Sequence, residues 1–534
     1  MSKEMWVADL GNGNYRNPIL YTDYSDPDAI RVGDDYFMIA SSFCNAPGIP
    51  VLHSKDLVNW KVINYVIDNI PGERYVDPIH GCGVWAPAIR FHDGLFYVCF
   101  PMPDEGIFMC TTKDPWGKWS EPINIRPGAG WIDPCPFWDE DGKAYLAAGV
   151  AKSRIGYKSV IHLIEMTPDG KSVFGEAVRI FDGNTNDQIT IEGPKMNKRN
   201  GWYYIFAPAG GVKQGWQTVL RSKNIWGPYE YKVVLRQGDS SVNGPHQGAW
   251  VGTQTGEDWF IHFQDVYAAG RITHLQPMSW ENDWPIIGIA KNGNDYGEPV
   301  MEYKKPDVGG IFPATSPDTG DEFDGDSLGL QWQWNANFNN AWYELDKTNK
   351  HLKLFAVKQE SSKALSDVSN LFLQKWPAPE FSCVAKMDFS NLENGDTAGI
   401  VSMGITFGAL VVTKSNDKFQ LETIIGTQNF KSDGLQTVQE RKKIADLDTT
   451  TVYLKYTIKG TGRKKATDTP TAPSEEISFA YSLDGKEYIT VASFQSEEGR
   501  WVGVKNGMFS CHNLDDSDNL KCGYAVAEYF KYFK

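Results

Sequence analysis

The sequence predicts an all-β chain: a five-bladed β-propeller followed by a β-sandwich of jelly-roll type. Three observations predict it. In the first 300 residues a turn with Asp or Gly leads five times into an aromatic-rich strand, at intervals of roughly 50–60 residues, the spacing of propeller blades. The repeat stops near Lys304-Lys305-Pro306, ahead of a stretch with linker composition. Convincing helical periodicity is absent throughout.

The repeated turns run in order along the chain. They are Gly33-Asp34-Asp35-Tyr36-Phe37, His92-Asp93-Gly94-Leu95-Phe96, Glu140-Asp141-Gly142-Lys143-Ala144, Arg199-Asn200-Gly201-Trp202 and Gly256-Glu257-Asp258-Trp259. A second echo links His53-Ser54-Lys55-Asp56-Leu57-Val58-Asn59-Trp60 with Thr111-Thr112-Lys113-Asp114-Pro115-Trp116 and Arg221-Ser222-Lys223-Asn224-Ile225-Trp226. Each reads as a strand end, a polar turn and a tryptophan leading into the next strand. Five such units close a ring and leave only short edges. Residues 1–305 are therefore assigned to the propeller, 306–320 to a linker and 321–534 to the sandwich. Short alternating segments such as Lys353-Leu354-Phe355-Ala356-Val357 and Thr451-Val452-Tyr453-Leu454 continue there without the repeat. The stretch from Lys459 to Glu476 reads as a long exposed loop.

Composition narrows the function. The net charge of -15 argues against a sequence-independent nucleic-acid binder, which needs a basic face. No apolar run is long enough to cross a membrane, and the first residues carry no signal-peptide pattern. The expected place is the cytoplasm, or the periplasm or exterior if a leader has been removed. The eight cysteines form no C-x-x-C pair and read as reduced and mostly buried. Aromatic residues make up 13% of the chain; most fill sheet cores, and a few are available to stack on sugar rings.

Three acids share a local setting. Asp26 lies in Ser25-Asp26-Pro27-Asp28, Asp133 in Ile132-Asp133-Pro134 and Glu192 in Ile191-Glu192-Gly193-Pro194. Each precedes a strand of a different repeat, on backbone stiffened by Pro or Gly-Pro. Taken singly, each reads more readily as a turn cap. Together, on repeated elements, they suggest carboxylates converging on one centre, as cleavage of a glycosidic bond requires.

At these residues the chain resembles glycoside hydrolase family 43. Asn17-Pro18-Ile19-Leu20 with Ser25-Asp26-Pro27-Asp28, the run Gly48 to Trp60, Val84-Trp85-Ala86-Pro87, Ile132-Asp133-Pro134 and Ile191-Glu192-Gly193-Pro194 carry the likeness. The tail, through Trp332-Gln333-Trp334, Leu373 to Pro379 and Gly395 to Ile400, is similar to the concanavalin-like sandwich of the family's β-xylosidases. The resemblance implies that Asp26 is the general base, Glu192 the general acid, and Asp133 the acid that tunes and orients Glu192. Asp28 competes with Asp26 for the first role but is expected to bond backbone nearby, and Asp23 and Asp77 read as surface or turn residues. The resemblance also implies that Arg271 reaches the bound sugar, with an ion pair to one of the acids as its alternative. His246 is implied near the propeller axis, touching the acids or holding a calcium-linked water. Trp85 and Phe43 supply walls for the terminal sugar or pack the core, and Trp131 and Trp216 are further aromatic candidates.

The expected activity is exo-acting, inverting release of a terminal pentose from plant cell-wall oligosaccharides that contain arabinose or xylose. L-arabinofuranose is the first choice, with β-xylosidase activity as the alternative. An exo-galactosidase, a retaining five-bladed hydrolase and a non-catalytic sugar-binding propeller stand behind them. No cofactor is required and no metal ligand set is assigned, with room left for a structural calcium ion. The sandwich is expected to wall one side of the pocket through a turn that the sequence does not identify, or else to be a separate binding module.

Overall fold

A computed structural model of the chain describes residues 5–291, 293–360, 362–431, 434–460, 475–513 and 522–534. Five antiparallel sheets succeed one another as blades. Blade one is built from Asp28–Val32, Asp35–Ile39, Gly48–Ser54 and Trp60–Ile67; blade two from Ala88–His92, Leu95–Met102, Gly106–Thr112 and Ile123–Pro127. Blade three contains Trp131–Trp138, Ala144–Val150, Val160–Met166 and Val173–Asp182. Lys195–Arg199, Trp202–Ala209, Trp216–Ser222 and Glu230–Leu235 form blade four, which Ile289–Ala290 and Gly297–Glu298 extend. Blade five is His246–Gly252, Asp258–Asp265, Arg271–Glu281 and Trp284–Ile287.

The repeated turn joins the first two strands of every blade. In blades two and four it is a two-residue loop: Asp93 and Gly94 have φ of 46° and 77°, and Asn200 and Gly201 have 52° and 69°. Two consecutive left-handed residues are what a type I′ hairpin needs, and Asp-Gly and Asn-Gly supply them at little cost. The second echo is a side-chain-capped turn. The backbone N–H groups of Asp56 and Leu57 donate to Ser54 Oγ, those of Val58 and Asn59 to Asp56 Oδ1, and the same pattern recurs at Thr112/Asp114 and Ser222/Asn224. Trp60 does begin a strand, whereas Trp116 and Trp226 stay within the turn.

The second strand of a blade is apolar on both faces because a neighbouring blade lies against each. Tyr36 and Met38 pack toward blade five while Phe37 and Ile39 pack toward blade two. Trp259 and Ile261 face blade one, and Phe260 faces blade four. The ring is thus closed by side chains rather than by shared strands. Asn14–Arg16 pairs with Glu302–Lys304, and Leu20 bridges to Thr273, tying the two ends of the propeller sequence together.

Beyond Lys304 the chain crosses the propeller wall: Val308 is buried in the core between blades one and five, and Thr315 N donates to Asn59 Oδ1. The sandwich begins with a bridge between Asp321 and Phe530. Its two sheets have eight and seven strands. They enclose one core that includes Trp332, Trp376, Leu410, Leu454 and Phe530. Lys459 and Gly460 belong to the strand Thr451–Gly460, and Glu475 and Glu476 to Glu475–Ser482; residues 461–474, the rest of the expected loop, lie outside the described residues.

The two domains meet along an extensive seam. Ala46 and Trp334 exchange backbone hydrogen bonds, Gln333 Nε2 donates to Pro47 O, and Asn337 bonds both Ile70 N and Ile70 O. Asp77 is exposed, as expected, and pairs with Lys363 at 2.6 Å. Asp23 is not at the surface. It is 3% exposed, and its oxygens accept from Arg271 N and from Gly503 N of the sandwich, both at 2.9 Å. The short local sequence gave no hint of those two donors, one of which lies 480 residues away.

Candidate active site

Each blade sends the start of its innermost strand to the axis of the ring, and each such start lines one cavity. Asp26 comes from blade one, Trp85 and Ala86 from blade two, Ile132 and Asp133 from blade three, Glu192 from blade four and Gln247 from blade five. Phe43, Val212 and Arg271 complete the propeller's share, and Trp501 enters from the sandwich. The cavity is about 120 Å³, well below the ~300–1,000 Å³ of pockets for drug-sized ligands. It suits one small polar molecule, walled by aromatics and floored by carboxylates.

The backbone is bent at these positions. Asp26 and Asp133 both have φ of 54°, Thr190 and Gly193 flank Glu192 at 61° and 58°, and Gln247 has 39°. Left-handed backbone is unfavourable for most residues, and such strain concentrates where a side chain must be aimed. In blade three the bend coincides with a register shift between Ile132 and Cys135, and in blade five with one between His246 and Gly248. These irregularities turn Asp133 and Gln247 out of the sheet and toward the axis.

Asp26 accepts hydrogen bonds from Ser25 Oγ and Ser41 Oγ, both at 2.6 Å, and from Arg271 Nη1 at 3.1 Å. Arg271 thus realises the ion-pair alternative while also lining the cavity. Its guanidinium lies 4.9 Å from the Phe263 ring and 5.9 Å from the Trp501 ring. Asp28 turns away from the cavity. Fully buried, it accepts from Arg90 Nη1 at 2.7 Å and Ile89 N at 2.8 Å, which leaves it a structural anchor between blades one and two.

Asp133 Oδ2 accepts from Gly193 N at 2.8 Å, so this acid grips the loop that carries Glu192. Burial and the nearby Asp26 charge raise its carboxyl to about 6. Burial, followed by the charges of Asp133 and Asp26, pushes Glu192 up to about 8, with Arg271 opposing. Glu192 still keeps 27% of its side chain open to the cavity, so it can reach a ligand. A carboxyl that keeps its proton at neutral pH is what a general acid needs.

Phe43 and Trp85 stand beside each other on the wall, ring centroids 6.3 Å apart, and Trp85 is 6.4 Å from Trp501. Trp131 and Trp216 pack elsewhere: Trp131 lies in the core between blades two and three, and Trp216 Nε1 donates to Gln188. His246 lies against an acid, as implied, but does not contact the substrate space: it is wholly buried behind Glu192, its Nε2 3.8 Å from Glu192 Oε1, and it is absent from the cavity wall. The residue after it in the bulge, Gln247, is the one presented. Burial holds the His246 ring at about 3, hence neutral. One imidazole and one carboxylate make a poor calcium site, since that ion takes six to eight oxygens, and among the described residues no three His, Cys, Asp or Glu gather to hold a metal.

Beside the apolar Val212, two residues of the cavity able to contact a sugar escaped the sequence reading, Gln247 and Trp501. Gln247 carried a usable signal: Pro245-His246-Gln247-Gly248 occupies the same place in its repeat as the three acids do in theirs. Its buried carboxamide lies beside Asp133 and opposes the upward shift of that carboxyl through a hydrogen bond. Trp501 carried none. It sits at φ 69° in the turn between two sandwich strands, 45% exposed and aimed at the propeller.

Comparison with known proteins gives a consistent result. The family description "Glycosyl hydrolases family 43" matches residues 15–285, and "Beta xylosidase C-terminal Concanavalin A-like domain" matches 320–533. A relative from Xylanibacter ruminicola with a provisional β-xylosidase name is 37% identical over 94% of this chain and 87% of its own length. A non-reducing end α-L-arabinofuranosidase of Bacteroides ovatus is 29% identical over 96% of this chain and 95% of its own. Among solved structures, the GH43 BlXynB protein of Bacillus licheniformis superposes with a TM-score of 0.77 at 25% identity, covering 97% of this chain and 99% of that one.

Proposed function

Because the chain belongs to glycosyl hydrolases family 43, we propose that it removes single terminal pentoses from hemicellulose oligosaccharides by inversion, with terminal β-D-xylosyl units, released as α-D-xylose, as its main substrate. The observation that carries the reading is the set of three carboxylates in one small cavity that Trp501 of the sandwich helps to line. A cavity of about 120 Å³ suits one terminal sugar, which favours exo action. The sandwich description and the name of the 37% identical relative tilt the choice toward xylose. The arabinofuranosidase relative keeps L-arabinofuranose as the second reading.

In this mechanism a water on one face of the sugar gives its proton to Asp26 and attacks the anomeric carbon. The bond to the leaving oxygen breaks as Glu192 donates its proton to that oxygen. Inverting enzymes hold the two carboxyls ~6.5–9.5 Å apart to leave room for the water. Ser25, Ser41 and Arg271 fix the Asp26 carboxylate in one orientation. Asp133 keeps Glu192 protonated by repulsion and holds its loop through Gly193. Arg271, Phe43, Trp85 and Trp501 grip the ring.

Three measurements test this. Rates on aryl β-D-xylopyranoside and aryl α-L-arabinofuranoside rank the two sugars, and a higher kcat/KM on the arabinoside would reverse the order proposed. Product anomers followed by NMR must invert; retention would sink the mechanism. Glu192→Ala must lose about 10²–10⁴ in kcat on natural linkages, yet far less on a dinitrophenyl xyloside, whose leaving group needs no proton. An equal loss on both would remove Glu192 from the acid's role.

A further inference from the structure

We propose that the seam between propeller and sandwich holds a single small inorganic anion, chloride in ordinary buffers, on the ammonium of Lys505 and the carboxamide of Gln428. A cavity of about 30 Å³ lies there, separate from the catalytic one. That is room for one species of water's size. Its wall includes Asn45, His80, Asn335, Gln428, Arg500 and Lys505, and no Asp or Glu.

Lys505 is 4% exposed, and its ammonium has no hydrogen-bond acceptor or carboxylate paired with it among the described residues. Its cross-strand partner is another lysine, the half-buried Lys375. Like charges directly opposite on a sheet repel, and an unpaired buried charge is costly. Lys375 is satisfied, because its Nζ donates to Asp23 O at 2.8 Å. The Asp23 carboxylate influences Lys505 from a distance, but both its oxygens already accept backbone N–H groups. Gln428, also 4% exposed, has a buried Nε2 with no partner among the described residues. His80 spends its Nε2 on Ser366 O. One cation and one amide donor thus face the same water-sized void without an acceptor. A halide there would satisfy both and offset the repulsion between the two lysines.

The position gives the ion a task. Phe43, Gly499, Arg500, Val502 and Gly503 border the same void, and these segments carry two walls of the catalytic cavity, Phe43 and Trp501. An anion would brace the sandwich turn against the propeller loop.

The test replaces gluconate by chloride at constant ionic strength while the full-length protein is melted, and maps bromide by anomalous scattering in crystals. The expected result is a saturable rise in Tm with chloride, lost in Lys505→Met and in Gln428→Leu, and a bromide peak beside Lys505 Nζ. A void holding only water, or a chloride response retained by Gln428→Leu, overturns the proposal. If Lys505→Met does not fold, the bromide map and Gln428→Leu decide alone.

Discussion

At the scale of single residues, Glu192 shows how catalytic fitness works against stability. Its carboxyl is raised to about 8 in the folded protein, above the ordinary glutamate value of 4.5. The folded state therefore binds that proton more tightly than the unfolded chain does, and stability falls as pH rises between those two values. Glu192→Gln carries no such loss. It should melt higher than the native protein at pH 7–8, by on the order of 1–2 kcal/mol once the open mouth is allowed for, and equally near pH 4; thermal melts across pH check this. The same shift predicts that activity declines as pH rises through about 8, where Glu192 loses its proton. Asp133→Asn removes a like charge, so this basic limb should move toward lower pH in a kcat/KM–pH profile. An unmoved limb would mean that burial alone sets the acid. The common setting of these acids was readable because proline or Gly-Pro follows each one; their separate roles came only from the resemblance. Which of Asp26 and Asp28 faces the cavity was not readable from spacing, since only the position of Arg90 settles where Asp28 points.

At the scale of elements, the blades were legible and the sandwich turn was not. Asp93-Gly94 and Asn200-Gly201 write a type I′ hairpin directly into the sequence, and Ser54-Lys55-Asp56 writes a capped turn. Periodic repetition of such local codes gives blade number and order. Trp501 belongs to no repeat, and nothing local distinguishes it from the chain's other tryptophans. Trp501→Ala should raise KM for aryl xyloside and lower kcat/KM about tenfold, because its ring lines the cavity. It should leave Tm nearly unchanged, since the side chain is 45% exposed and exposed substitutions cost little. A large fall in Tm with KM intact would make it a packing residue instead. Gln247→Leu should likewise weaken binding, as its carboxamide is the polar group that blade five offers the cavity, beside Asp133.

At the scale of the whole molecule, the catalytic cavity belongs to both domains. Asp23 ties the backbone of the propeller's Arg271 to that of the sandwich's Gly503, so one carboxylate sets both the sugar-facing guanidinium and the turn behind Trp501. Asp23→Ala leaves two buried N–H groups unsatisfied, about 1–3 kcal/mol each. It should lower Tm and raise KM together, whereas Asp77→Ala, which breaks an exposed pair with Lys363 and a long hydrogen bond from Ser369 Oγ, should do neither. Calorimetry and initial rates on the two variants separate these outcomes. By itself the sequence determined the propeller, the presence of a second β domain, and the three acids with a common setting, because each is encoded in residues adjacent along the chain. Tertiary structure alone decided that His246 is buried while Gln247 is presented, that Asp23 is an anchor, and that a tryptophan more than 300 residues beyond Glu192 lines its pocket. Those outcomes depend on which distant surfaces meet when the ring closes and the sandwich docks, and no local pattern of polarity or turn chemistry carries that information.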